Sequence, residues 1–146
     1  MADIIFAGYH VARDAGLLGG APDIRLALVM SGFTADADAV NVADVTLDEF
    51  DGIGYARLDA ASVTAGYVDA DDEWQLAMAS GDFGDPVAPG TDVITGMVVI
   101  LNVDGTDAND YILGFTDAGG FGVNANNNAL TLTIPAAGMM FDRQAA

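Results

Sequence analysis

Val93-Ile-Thr-Gly-Met-Val-Val-Ile-Leu-Asn-Val103 is an almost unbroken apolar run, rich in β-branched residues. It falls short of the ~18 consecutive apolar residues of a membrane-spanning helix. Turn formers close it on both sides, with Pro86, Pro89 and Gly90 before it and Asp104-Gly105 after it. Such a run between turns reads as a strand covered on both faces, at the centre of a sheet. Gly96 marks the expected place of a bulge within it.

Its partners are legible on either side. In Ile24-Arg-Leu-Ala-Leu-Val-Met30 the residues Ile24, Leu26, Leu28 and Met30 share one face, and Arg25, Ala27 and Val29 share the other. That is strand alternation. Tyr55–Ala61, Gly66–Ala70, Glu73–Ala79, Tyr111–Thr116 and Leu130–Ile134 read as further strands, and Met139-Met140-Phe141 as a last short edge strand. In the third of these, Trp74, Leu76 and Met78 make one face large and apolar. Strands of this length at roughly ten-residue spacing, parted by Gly, Pro and Asn turns, predict an all-β, mainly antiparallel domain: a single β-sandwich or a small barrel.

Two segments depart from the β pattern. Residues 34–52 hold either one short helix, with Val42, Val45, Leu47 and Phe50 as an approximate stripe over 42–50, or a long loop carrying its own apolar plug. Residues 1–21 read as an N-terminal arm, irregular or with a short strand, ahead of a single β domain over 22–146. The arm's apolar residues Ile4, Ile5, Phe6 and Tyr9, and the C-terminal Met139, Met140 and Phe141, are the candidate interface positions. Ordinary core packing is the competing reading for both groups.

With 146 residues, 52% of them apolar and 18% charged, the chain has the composition of one folded domain and not of a disordered segment. It contains no cysteine, which excludes disulfide frameworks, thiolate metal sites and a cysteine nucleophile. Twenty-two acids face four bases, all arginine (Arg13, Arg25, Arg57, Arg143), for a net charge of −18. Four scattered arginines make no footprint for phosphates, so nucleic acid is not an expected partner. The same field repels an anionic membrane surface. Asp3 stands where a signal peptide carries a basic residue, and no export signal is read. The acidity keeps an apolar domain soluble, and it also suits display on a particle surface or in high salt.

No catalytic, metal or cofactor site is expected. His10 is the one histidine, and Ser31, Ser62 and Ser80 lie in no nucleophile-elbow context. Paired carboxylates carry no signal among so many acids. Asp104-Gly-Thr-Asp-Ala-Asn-Asp110 and Asp69-Ala-Asp-Asp-Glu73 are oxygen-rich enough for calcium but lack EF-hand spacing. Hairpin turns, in which Asp and Asn bond their own backbone, are the simpler reading. Gly119-Gly-Phe-Gly122 has no strand-loop-helix context for phosphate. Trp74, Tyr55, Tyr67 and Tyr111 could line a sugar-binding face, although their places in alternating strands favour burial.

An ordered set of segments resembles a family of small virion proteins of tailed bacteriophages. Asp23-Ile-Arg-Leu-Ala-Leu-Val-Met-Ser-Gly-Phe-Thr-Ala-Asp-Ala-Asp38, followed by Asp44-Val45 and Glu49-Phe-Asp-Gly-Ile-Gly-Tyr55, is similar to that family's opening strand, loop and acidic segment ending in Gly-x-Gly-Tyr. Val68-Asp-Ala-Asp-Asp-Glu-Trp74, then Val98-Val-Ile-Leu-Asn-Val-Asp-Gly-Thr-Asp-Ala108 with Ile112-Leu-Gly-Phe115, resemble its later motifs. The resemblance spans roughly residues 22–140. It implies a non-enzymatic part of the particle, made in the host cytoplasm: a decoration (cement) protein on the outer capsid surface, partnered by the major capsid protein and homo-oligomeric, with a trimer favoured. A tail or neck component that binds host-surface carbohydrate is the alternative.

Overall fold

The central strand lies where the apolar run places it. In the computed structural model, which describes residues 4–68, 73–117, 121–132 and 140–143, β7 (Gly96–Leu101) is buried at all six positions. It lies between β2 (Ile24–Val29) and β8 (Tyr111–Thr116), and the sheet is completed by β1 (Ile4–Ile5) beyond β8 and β3 (Leu58–Asp59) beyond β2. Every pairing in this five-stranded sheet is antiparallel. A three-stranded antiparallel sheet has β5 (Glu73–Ala77) between β4 (Thr64–Val68) and β10 (Met140–Arg143), and β6 (Gly81–Asp82) pairs with β9 (Thr131–Leu132).

Alternation decides which residues meet. Ile24, Leu26 and Leu28 of β2, Met97, Val99 and Leu101 of β7, and Leu113 of β8 form the larger core with Leu76 and Met78, and Trp74 packs at its margin. The two sheets therefore face one another across apolar side chains, as in a sandwich. The large sheet ends at β1 and β3 and does not close into the barrel that was the other expectation. The bulge lies at Val99/Ile100 against β8, not at Gly96. Gly96 has a different reason: a Cβ there would press to 2.5 Å from the Phe115 ring.

The opposite face of the five-stranded sheet presents Ala27, Val29, Val98, Ile100, Ile112 and Phe115. Residues 31–50 cover it with Phe33, Ala39 and Val42, backed by Val45 and Leu47. This segment is the plugged loop and not the helix. Its only helical piece is Val42–Asp44, a 3₁₀ turn whose Asp44 carboxylate accepts the N–H groups of Val40 and Asn41. Beyond it the chain is extended, bridging Thr46 to Thr34 and Glu49 to Val29. Val45 and Thr46 are β-branched and fit that pleated course better than a helix.

The N-terminal segment holds the short strand that was one of its two readings, and it also holds a helix that neither reading contains. After β1 the chain forms α1 (Ala7–Asp14), the one α-helix of the described residues. Phe6 and Tyr9 are 0% exposed and Ala12 is buried with them. A Cβ at Gly8 would collide with the carbonyl oxygens of Ile112 and Val40, so glycine is what lets the helix lie directly on the sheet. Phe6, Tyr9, Ala12 and Leu18 thus belong to the apolar clusters of the β domain.

Candidate interaction surface

Of the seven interface positions read from the sequence, the four N-terminal ones are taken up at the sheet edge and in the core. Ile4 and Ile5 pair with Phe115 and Gly114 at the sheet edge, half-buried. Phe6 and Tyr9 are core residues, because the N–H of Phe6 donates to the Leu113 carbonyl and Tyr9 packs on Trp74 with ring centroids 4.9 Å apart. Neither is accessible to a partner in the folded chain. Met140 and Phe141 lie in β10, opposite Leu76 and Gln75, which is the expected edge strand. Met139 lies outside the described residues.

Three of the four aromatic candidates for a sugar face, Tyr55, Trp74 and Tyr111, pack against the larger core. Tyr55 is half-buried, edge-on to Phe50 and stacked near Phe83. Its hydroxyl donates to Glu49 Oε2 at 2.8 Å and accepts the N–H of Leu28 at 3.0 Å. Burial, then the Glu49 charge, raises its pKa well above the ordinary phenol value. Trp74 and Tyr111 are half-buried against the same core, and Tyr67 lies in β4. His10 is exposed on α1, its ring edge-on to Tyr9.

The Asp104–Asp110 segment has the geometry of a turn. Asp104 Oδ1 accepts both the N–H and the hydroxyl of Thr106, Oδ2 accepts from Asn109 Nδ2, and Gly105 supplies a positive φ of 84°. The Thr106 hydroxyl is the largest of the influences holding the Asp104 carboxyl below its ordinary pKa. Asp110 is fully buried, and its Oδ1 accepts the N–H groups of Val103, Asp104 and Gly105. Among the described residues no group of three or more His, Cys, Asp or Glu is arranged to hold a metal ion. The second acidic cluster falls largely on residues 69–72, outside the described residues.

Composition alone did not reveal how the arginines are used. Arg57 grips Glu49 through Nε and Nη2 (2.9–3.2 Å) and Asp107 through Nη1 (2.9 Å). It thereby ties the 31–50 flap and the β7–β8 connection to the segment leading into β3. Hydrogen bonding to Glu49, first among several causes, raises its already high pKa further. Arg25 bonds Asp59 at 2.8 Å, and Arg13 lies beside Asp14 and over the Tyr9 ring. Replacing Arg57 by methionine is expected to cost about 1–3 kcal/mol, because Glu49 and Asp107 lose a partly buried counterion while the stem's packing is kept. Urea unfolding measures this as a lower midpoint at unchanged slope. A midpoint equal to that of the wild type would show the clamp to be energetically idle.

A second feature missed from the sequence is the loop rim near the start of β7. The turn Asp51-Gly-Ile-Gly54 holds Ile53 84% exposed. Val123, bridged through its backbone to Ile94, is 55% exposed, and Val93 is exposed beside it. The signal that could have found the tip is an isoleucine set between two glycines, where a turn ordinarily carries polar residues.

No protein-family model, curated protein or solved structure matches the chain. The likeness to phage virion proteins therefore rests on the quoted segments alone. Among the described residues no helix is long and apolar enough to cross a membrane.

Proposed function

We propose that this chain is a structural component of a tailed-phage virion, a decoration protein bound to the outer surface of the head and stabilising the shell of the major capsid protein. The observation that carries the reading is the disposition of charge. The chain has a net charge of −18, and Arg13, Arg25 and Arg57 all lie against acids of the same chain. Such a surface suits the outside of a head, because packaged DNA would repel it from the lumen. The order of the virion-like segments, running from β2 through β8, supports the same assignment. A passive role would be exercised through many weak contacts that together tie neighbouring capsomers, as copies of a small homo-oligomer with a trimer favoured. A carbohydrate-binding tail component would need its aromatic rings on one open face, and Tyr55, Trp74 and Tyr111 pack toward the core instead.

Particles lacking the protein are expected to assemble and adsorb normally, yet to release DNA at a lower temperature than complete particles. Dye access to the genome during heating measures the release. Unchanged heat resistance combined with lost adsorption would replace the decoration role by a tail role, and a density map of intact particles would place the protein directly.

A further inference from the structure

We infer that the Asp51–Gly54 tip is the point at which the chain docks on its partner, Ile53 entering an apolar socket that the capsid surface rings with arginine or lysine; the inference rests on the decoration reading.

The tip is built to be rigid. Its Ile53 carbonyl accepts the Ala88 N–H at 2.8 Å and its Gly52 carbonyl accepts the Tyr55 N–H at 3.1 Å. A Cβ at Gly52 would collide with the Ala88 carbonyl oxygen and the Phe50 ring. A Cβ at Gly54 would collide with the Pro86 carbonyl oxygen, and φ there is +95°. Both glycines are thus needed for the turn to lie flat on the 86–88 segment. Asp51 locks the other side, accepting the Thr91 N–H at 2.8 Å and its hydroxyl at 2.7 Å. Two glycines and a carboxylate hold a turn whose one large side chain is an isoleucine in water. A large apolar group pre-ordered in this way loses little freedom on binding and has the character of an interface anchor.

The surroundings specify the partner. The Gly90 N–H bonds Asn124 Oδ1 at 2.9 Å, which joins the tip's neighbours to the loop bearing Val123. Asp51, Asp85 and Asp92 lie in or next to these segments, and the nearest arginine along the chain, Arg57, is held by Glu49 and Asp107. A rim that is apolar at its point and acidic around it fits a socket of the opposite sign. A second copy of the chain is a poor source of a basic ring, since of its four arginines Arg13, Arg25 and Arg57 already lie against acids of their own chain. Val103, also 55% exposed, follows the far end of β7 and serves as the control.

Purified chain should be added back to particles that lack it, and bound protein measured by co-sedimentation over a range of salt. Wild type should bind, and more weakly as salt rises. Ile53→Asn should melt like wild type, because the side chain buries almost nothing, yet lose about tenfold or more in affinity, the scale of one lost aliphatic contact. Val123→Asn should lose severalfold, and Val103→Asn nothing. Binding of Ile53→Asn equal to wild type overturns the docking tip while leaving the decoration reading standing. Conversion of an oligomeric wild type to monomer by Ile53→Asn also overturns it, since the tip would then join copies. Failure of wild type to bind any particle overturns the decoration reading, and the inference with it.

Discussion

A chain lacking residues 1–9 is expected to lose its cooperative thermal transition altogether. The truncation removes β1 from the edge of the five-stranded sheet and the first turn of α1. It also removes Phe6 and Tyr9, both wholly buried, one in each of the two apolar clusters on the faces of the sheet. Truncating one buried aromatic side chain costs about 3–5 kcal/mol. Two such losses rival the ~5–15 kcal/mol that holds a whole domain together. Phe6→Ala alone isolates the lesser case and should lower stability by about 3–5 kcal/mol while leaving the fold intact. Circular dichroism melts of the two variants measure both effects. A truncated chain melting within a few degrees of the full one would restore a detachable N-terminal arm and return Ile4, Ile5, Phe6 and Tyr9 to the candidate interface.

What could be read in advance followed from how strongly each segment is constrained by its own residues. In β2 the alternation of Ile24, Leu26 and Leu28 with Arg25, Ala27 and Val29 announces both the strand and its two faces, which line the two separate clusters. In β7 the unbroken run of apolar residues matches burial on both sides. The helix was invisible for the opposite reason. Gly8, Tyr9, His10 and Val11 are all poor helix formers, and α1 persists because Tyr9 and Ala12 pack into the core. Tertiary burial overrides local preference there, and no window of sequence carries that information. The 31–50 flap is similar: its apolar plug was legible, but its extended course is set by bridges to Thr34 and Val29. Phe6 and Tyr9 illustrate the same logic, since an apolar stretch next to a β domain looks alike whether it covers a neighbour or, as these two do, its own core. Ile53 carried the better signal, because an apolar side chain between two turn glycines has no strand face of its own to cover.

Asp110→Ala is expected to cost about 2–4 kcal/mol, although the residue lies in a turn and bears a charge that so acidic a chain would gain by losing. The field argument favours removal: at a net charge of −18 each deleted carboxylate relieves some self-repulsion. The local argument opposes it. Asp110 Oδ1 accepts the N–H groups of Val103 at 2.7 Å, Asp104 at 3.1 Å and Gly105 at 3.3 Å, and its own carbonyl accepts the Val42 N–H at 3.0 Å. One residue thus closes the β7–β8 connection and pins the flap over the sheet's second face. Repulsion between surface charges is spread over the molecule and screened within ~8–10 Å, whereas three amides without an acceptor lose their bonds at one point. The local term wins. Asp110→Asn keeps an acceptor oxygen and should lose less than alanine. The amide nitrogen in place of Oδ2, which has no hydrogen-bond partner among the described residues, still brings a buried donor with nothing to bond. Chemical unfolding should therefore order the variants wild type, asparagine, alanine. Amide exchange at Val103, Asp104 and Gly105 should accelerate in the alanine variant before exchange in β7 does. An alanine variant within about 0.5 kcal/mol of wild type, the ordinary range for surface substitutions, would mean that water replaces the carboxylate at no cost and that the turn holds without it.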